Sequence, residues 1–319
     1  MVRAAALPSL AQAVMLGLDP AVQVEERAAA GSPVGAGRAG LNRVAEPAGP
    51  ASGPVDALRR HWPEYLMEGA ELGLFMISAG LFATLLFHPG SPLVALMPDP
   101  LARRALMGAI MGLTAIALIY SPWGQQSGAH LNPAVTLTFW RLGKVATWDA
   151  GFYVLAQFAG GALGVLLVLA VFGQAFADPP VHYLATVPGP HGLAAALLAE
   201  AVISFGLMLT VLLVTNTPKL MRLTGVFAGL LVALYITVEA PVSGMSMNPA
   251  RTLASALPGS LFDALWIYFV GPAAGMLLAA EAYRLIRRTP DVDCAKLNHH
   301  THRRCIFRCG YAAGAGRGG

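Results

Sequence analysis

An eleven-residue stretch occurs twice in this 319-residue sequence, and no other feature limits the fold as tightly. Ser127-Gly-Ala-His-Leu-Asn132-Pro-Ala-Val-Thr-Leu137 and Ser243-Gly-Met-Ser-Met-Asn248-Pro-Ala-Arg-Thr-Leu253 agree at seven positions, the whole Asn-Pro-Ala core included. Each copy opens a short apolar run, 133–140 and 249–257. Proline suits the first turn of a helix, where its missing N–H costs nothing, and asparagine ahead of it suits the cap. Both runs fall well short of the ~20 residues that a helix needs to cross a bilayer.

Six longer apolar runs frame the two copies, at about 65–87, 102–121, 149–173, 193–215, 223–242 and 264–286. Each approaches spanning length. Hydrophobic residues are 56% of the chain and charged residues only 12%, against about a quarter charged in soluble domains. A soluble fold is thereby excluded. Backbone that stops inside a bilayer survives only where protein buries it or it lines a watery cavity, so the two short runs imply a cavity.

The repeat extends beyond its core. Glu68 and Glu200 stand near the starts of the first and fourth runs, and Tyr153-x3-Gln157-x2-Gly160 echoes Tyr268-x3-Pro272-x2-Gly275. Each half holds three spans and one half-helix, and an odd number of spans inverts the second half. Inverted repeats with interrupted helices put the functional site at the midplane. The expected fold is an all-α membrane protein of six transmembrane helices and two re-entrant half-helices. The channel domain is expected over 62–288, with repeats 62–173 and 193–288. Before it lies an Ala-, Gly- and Pro-rich arm, 1–61, expected to be disordered; after it comes a basic tail, 289–319.

The net charge of +4 comes from basic residues in loops and at the ends. Arg59, Arg60, Arg141, Lys144, Lys219, Arg222, Arg284, Arg287 and Arg288 fall on one side if both termini are cytoplasmic, with Arg103 and Arg104 the exceptions. This distribution signals topology in a plasma or inner membrane rather than nucleic-acid binding. No nucleophile set, phosphate loop or carboxylate pair suggests an enzyme, and no cofactor is expected.

Ser-Gly-Ala-His-Leu-Asn-Pro-Ala-Val at 127–135 and Asn-Pro-Ala-Arg at 248–251 resemble the two signature loops of the aquaporin (major intrinsic protein) family. Glu68, Glu200, Ala156-Gln157 and Gly271-Pro272 are similar to it as well. The resemblance covers about 62–288 and implies half-helices meeting head to head, a homotetramer with one pore per subunit, and passage of water or a small neutral solute. Thr252, Ala256 and Tyr268-Phe269 resemble the water-type branch more than the glycerol-type one. Glycerol, hydrogen peroxide, ammonia or a neutral metalloid acid remain alternative solutes, and a non-conducting structural protein is the alternative of another class.

Each singled-out residue then has an expected role. Asn132 and Asn248, with Pro133, Ala134, Pro249 and Ala250, form the paired pore motifs. Their amides face the cavity, where two helix N-termini repel cations. Arg251, a charge in an apolar segment, should face a watery lumen; by resemblance it is the filter arginine. The resemblance also assigns to the filter Met245, Ile236 (or Tyr235 in a slipped register) and Met111. Plain counting gives Gly112, while the local Met-Gly-Leu-Thr pattern favours Met111. The ring has one strong donor and three apolar walls. Glu68, Glu200, His130 and Gln157 are expected to hold loops rather than move protons. In the tail, Cys294, His299, His300, His302, Cys305 and Cys309 offer zinc-ligand chemistry without a tight Cys-x2-Cys pair. A loose basic segment against anionic lipid is the competing reading.

Overall fold

The computed structural model describes residues 53–287, 292–299 and 303–310. Every regular element among them is helical. We number the principal helices α1 (Pro54–Phe87), α2 (Pro100–Tyr120), α3 (Pro133–Arg141), α4 (Thr147–Phe172), α5 (Gly192–Thr215), α6 (Thr224–Val238), α7 (Pro249–Ala256) and α8 (Ile267–Arg287). Six stretches are long and apolar enough to cross a membrane: α1, α2, α4, α5, α8 and the run Met221–Val238 that contains α6. The half-helices α3 and α7 have nine and eight residues.

The inverted repeat appears in the packing. α1 lies along α4, and its counterpart α5 lies along α8, while α2 and α6 meet across the pseudo-two-fold axis. Each half-helix also packs against the last helix of the opposite half, α3 on α8 and α7 on α4. The halves are thus interlocked rather than merely adjacent.

Two equivalent glycines permit the close approach. A Cβ at Gly160 would collide with the Gly69 carbonyl, and one at Gly275 with the Ala201 carbonyl. Without a hydrophobic drive between helices in lipid, such backbone-to-backbone fit is what holds them together. The outward faces carry Leu66, Leu113, Leu155, Leu163, Leu198 and Leu278, all more than half exposed in the isolated chain. In a bilayer that surface meets lipid, which needs no polar cover.

The arm was expected to remain disordered through residue 61, but α1 begins at Pro54. Pro54 supplies the first helical turn, Asp56 pairs with Arg60 at 2.7 Å, and His61 and Tyr65 both bond Asp149 of α4, at 2.7 and 2.6 Å. These contacts carry the helix past the apolar run. Residues 1–52 lie outside the described residues. The fifth span was expected to reach 242; α6 stops at Val238, and a separate turn, Ala240–Ser243, leads into the second loop.

Candidate functional site

Ser127–Asn132 and Ser243–Asn248 are the loops that deliver the chain to the half-helices, and both take the same backbone path. Gly128, Ala129 and Leu131 have positive φ in one; Gly244, Met245 and Met247 have it in the other. For a residue with a Cβ this conformation costs roughly 1–2 kcal/mol. Such strain persists only where surroundings over-determine it, and here buried side chains do so.

Glu200 is fully buried and accepts from the Ser243 hydroxyl, the Ser246 amide and the Met247 amide, each at 2.7 Å. Glu68, equally buried, accepts from the Leu131 amide and, at 2.8 Å, from Gln157 Nε2. Tyr153 and Tyr268 donate to the Ser127 and Ser243 carbonyls at 2.6 and 2.5 Å. A carboxylate, an aromatic hydroxyl and a serine therefore hold each loop in matching positions.

The asparagines close the arrangement. Asn132 Oδ1 accepts from the Ala134 amide at 2.8 Å; Asn248 Oδ1 accepts from the Ala250 and Arg251 amides at 3.0 and 3.2 Å. Capping fixes each oxygen toward its own helix, so Nδ2 points away from it. Asn132 Nδ2 donates to the Met247 carbonyl at 2.6 Å, and Asn248 Nδ2 to the Leu131 carbonyl at 2.7 Å. Each amide thus spends one N–H across the interface between the halves and keeps its second N–H. The sequence suggested amides that face the cavity; half of their donor capacity is structural.

Both asparagines line a cavity of about 360 Å³, and so do Met111, Ile236, Met245 and Arg251. The alternatives in register differ in whether they line this cavity. Gly112 faces α6, where a Cβ would come within 2.5 Å of the Gly229 carbonyl, and the Tyr235 hydroxyl lies 2.5 Å from where a Cβ on Gly206 of α5 would sit. Met111 and Ile236 are the neighbours that reach the cavity. Arg251 Nη1 donates to the Leu184 carbonyl at 3.0 Å, which anchors the guanidinium to the loop between α4 and α5.

His130 uses both ring nitrogens. Nε2 bonds the Ala295 carbonyl at 2.9 Å, which makes it the protonated nitrogen, and Nδ1 faces the Thr136 hydroxyl at 3.0 Å. Gln157 Nε2 also reaches Thr136, at 3.0 Å. A chain of hydrogen bonds therefore runs Glu68–Gln157–Thr136–His130–Ala295.

Ala295 belongs to the tail, whose described residues are packed rather than loose. Leu297 N donates to the Gly128 carbonyl at 3.1 Å and Arg308 N to the Lys144 carbonyl at 2.9 Å. Phe307 stacks on His130 with centroids 5.4 Å apart. Lys296 donates to the carbonyls of Gln125 and Arg304 at 2.8 and 2.6 Å. Burial pushes its ammonium below the ordinary lysine range, a shift that negative charge on the nearby cysteines and Glu64 opposes. Cys294, His299, Cys305 and Cys309 lie together, whereas His300 and His302 lie outside the described residues.

Several contributors escaped sequence reasoning. Glu64 and Glu71 are buried; Glu71 accepts from Ser127 at 2.8 Å, and Glu64 from Gln126 at 3.1 Å. Their spacing with Glu68 puts three acids along one helix face, a signal that was available. Arg104 and Leu297 line the cavity with no such signal.

Comparison with known proteins fits this geometry. A family model described as Major intrinsic protein matches residues 74–283. "Aquaporin NIP1-4" of Oryza sativa subsp. japonica is 41% identical over 181 residues, which cover 56% of this chain and 64% of that protein. "Putative aquaporin NIP4-1" of Arabidopsis thaliana is 37% identical over 179 residues, covering 56% and 61%. The match thus spans a little under two thirds of those relatives' length. The X-ray structure of the aquaglyceroporin from Plasmodium falciparum aligns with a TM-score of 0.58 at 20% identity, covering 72% of this chain and 100% of that one; this likeness concerns the fold.

Proposed function

The chain belongs to the major intrinsic protein family, and we propose that it is an aquaporin-type membrane channel, not an enzyme, whose cavity passes water and other small uncharged solutes while refusing ions and protons. The observation that carries this reading is the convergence of Asn132, Asn248 and Arg251 on one cavity otherwise walled largely by apolar side chains.

The physical argument starts from charge. α3 and α7 aim their N-termini at the cavity, each equivalent to roughly half a positive charge. A cation meets that potential without compensation, whereas a neutral solute does not. The remaining N–H of each asparagine donates to a passing oxygen. A water that accepts from both sides has its own hydrogens turned outward, which breaks the donor–acceptor chain that proton hopping needs.

Arg251 adds a fixed cation at the filter ring. The bond to Leu184 uses part of its donor fork, and a guanidinium keeps further donors for solute. Met111, Ile236 and Met245 replace none of a solute's hydrogen bonds. Such a ring favours a solute that tolerates one-sided hydrogen bonding, and it slows water relative to a ring with a second donor.

Stopped-flow light scattering on proteoliposomes tests the reading. We expect osmotic shrinkage faster than in empty vesicles, with no proton conductance detected by an entrapped pH dye. In Arg251→Val, cation exclusion should weaken and larger neutral solutes should enter. A variant with unchanged selectivity refutes the role of Arg251. Wild-type vesicles no more permeable than empty ones, both before and after treatment with a metal chelator, refute the channel reading for this chain. The basic loops support a placement with both termini cytoplasmic, and the wide apolar exterior suits a homotetramer in the bilayer.

A further inference from the structure

The four ligand atoms of Cys294, His299, Cys305 and Cys309 lie within 4.8 Å of one another. Cys294 Sγ is 3.6 Å from Cys305 Sγ, and Cys309 Sγ is 3.1 Å from His299 Nε2. With zinc–sulfur bonds of about 2.3 Å and zinc–nitrogen bonds of about 2.0 Å, tetrahedral edges come to roughly 3.8 and 3.5 Å. Both observed separations are within a few tenths of those edges, so a small relaxation would bring the set onto a metal. Three thiolates and one imidazole are a closed, soft ligand set of the kind that holds structural zinc rather than magnesium or calcium.

The surroundings favour the same ion. Three thiolates, a neutral imidazole and a divalent cation leave one net negative charge, and Lys296, Arg303, Arg304 and Arg308 lie in the same segment. Residues 292–299 and 303–310 contain no helix or strand. One backbone bond, Gly310 N to the Asp293 carbonyl at 2.6 Å, joins their ends. Yet Val292, Cys294, Ala295, Leu297 and Phe307 are all at least nine-tenths buried. Metal-binding free energy would add to the few contacts that hold irregular backbone packed this deeply.

The segment is docked at a mouth of the cavity. Leu297 lines it, Phe307 covers His130, and Ala295 accepts from His130, two residues before Asn132. We propose that Cys294, His299, Cys305 and Cys309 bind zinc, and that the bound ion pins the C-terminal segment over this mouth and restricts it. The restriction rests on the channel reading above; the metal site does not.

The test uses the full chain purified in detergent and then reconstituted. Zinc content by mass spectrometry should be about one ion per chain, and cobalt exchanged into the site should give thiolate-to-cobalt charge transfer. Cys305→Ser and Cys309→Ser should lose both signals. Stripping zinc should speed amide exchange across 292–310, at Leu297 and Arg308 above all, and should raise osmotic permeability. Leu297→Ala and Phe307→Ala should keep zinc yet raise permeability, which separates the plug from the metal. Absence of zinc and of the cobalt band, or a Cys294–Cys305 disulfide in their place, overturns the site. Exchange indifferent to zinc overturns the pinning. Exchange that responds while both forms lack flux upholds the pinned segment and overturns the channel reading.

Discussion

The two loops that carry Asn132 and Asn248 are nearly the same object at their inner ends and different objects at their outer ends. Inside, each has positive-φ residues at matching positions, a buried glutamate beneath it and an asparagine bonded to the opposite loop. Outside, Thr136 and Thr252 occupy equivalent positions, and each faces the side chain two residues before its asparagine, His130 or Ser246. From there the paths separate. His130 reaches the tail at Ala295, whereas Thr252 accepts from Thr186 at 2.9 Å in the loop between α4 and α5. That same loop anchors Arg251 through Leu184. The shared interior suits the refusal of charge proposed for both halves. The unlike exteriors allow one mouth to select and the other to be covered.

The equivalence of the interiors breaks most severely at the helix crossings. Gly160→Leu and Gly275→Leu each drive a side chain into a carbonyl of the facing helix, backbone that cannot swing away. Overpacking alone costs about 1–3 kcal/mol, and we expect the upper end of that range or beyond at both sites. The check is monodisperse recovery after fluorescence-detected gel filtration in detergent. Loss of only one variant would mean that the crossings are not energetically equivalent.

Next in size are the loop-holding glutamates. Glu200→Ala strands three donors, and Glu68→Ala strands two. An unsatisfied buried donor costs about 1–3 kcal/mol, so both variants should melt well below the parent, Glu200→Ala the lower. Thermal unfolding in detergent reads this. The reverse order would show that Glu68 holds the first loop by more than its two direct bonds.

The interior was legible in sequence because it is written twice. Asn-Pro-Ala at 132–134 and 248–250, Glu68 with Glu200 and Tyr153 with Tyr268 each recur in corresponding places of the two halves, and recurrence separates function from chance. Arg251 was legible for another reason: a cation in a membrane segment has few places to go. The exteriors occur once and rest largely on backbone. The Leu184 carbonyl that anchors Arg251 and the Ala295 carbonyl that receives His130 have no side-chain signature. The packed tail lacks periodicity altogether, and its cysteines and histidines suggested a metal but not where they would gather. Met111 over Gly112 turned on which side of α2 meets α6, which counting from Asn132 does not specify.

The smallest expected effect discriminates most sharply between the two exteriors. Thr136→Val and Thr252→Val remove one hydroxyl each at equivalent positions with little change of shape. Thr136→Val leaves Gln157 and His130 short of a partner, a loss of about 1–2 kcal/mol. Because that chain ends at Ala295, its release should appear as faster amide exchange across 292–310, with solute preference unchanged. Thr252→Val cuts the contact to Thr186 and should loosen the loop that anchors Arg251. It should alter the ratio of water to larger-solute permeability and leave exchange in the tail as it was. If either variant produced the other's signature, the two mouths would be coupled through the crossed asparagine bonds, and the division into a selecting end and a covered end would fail.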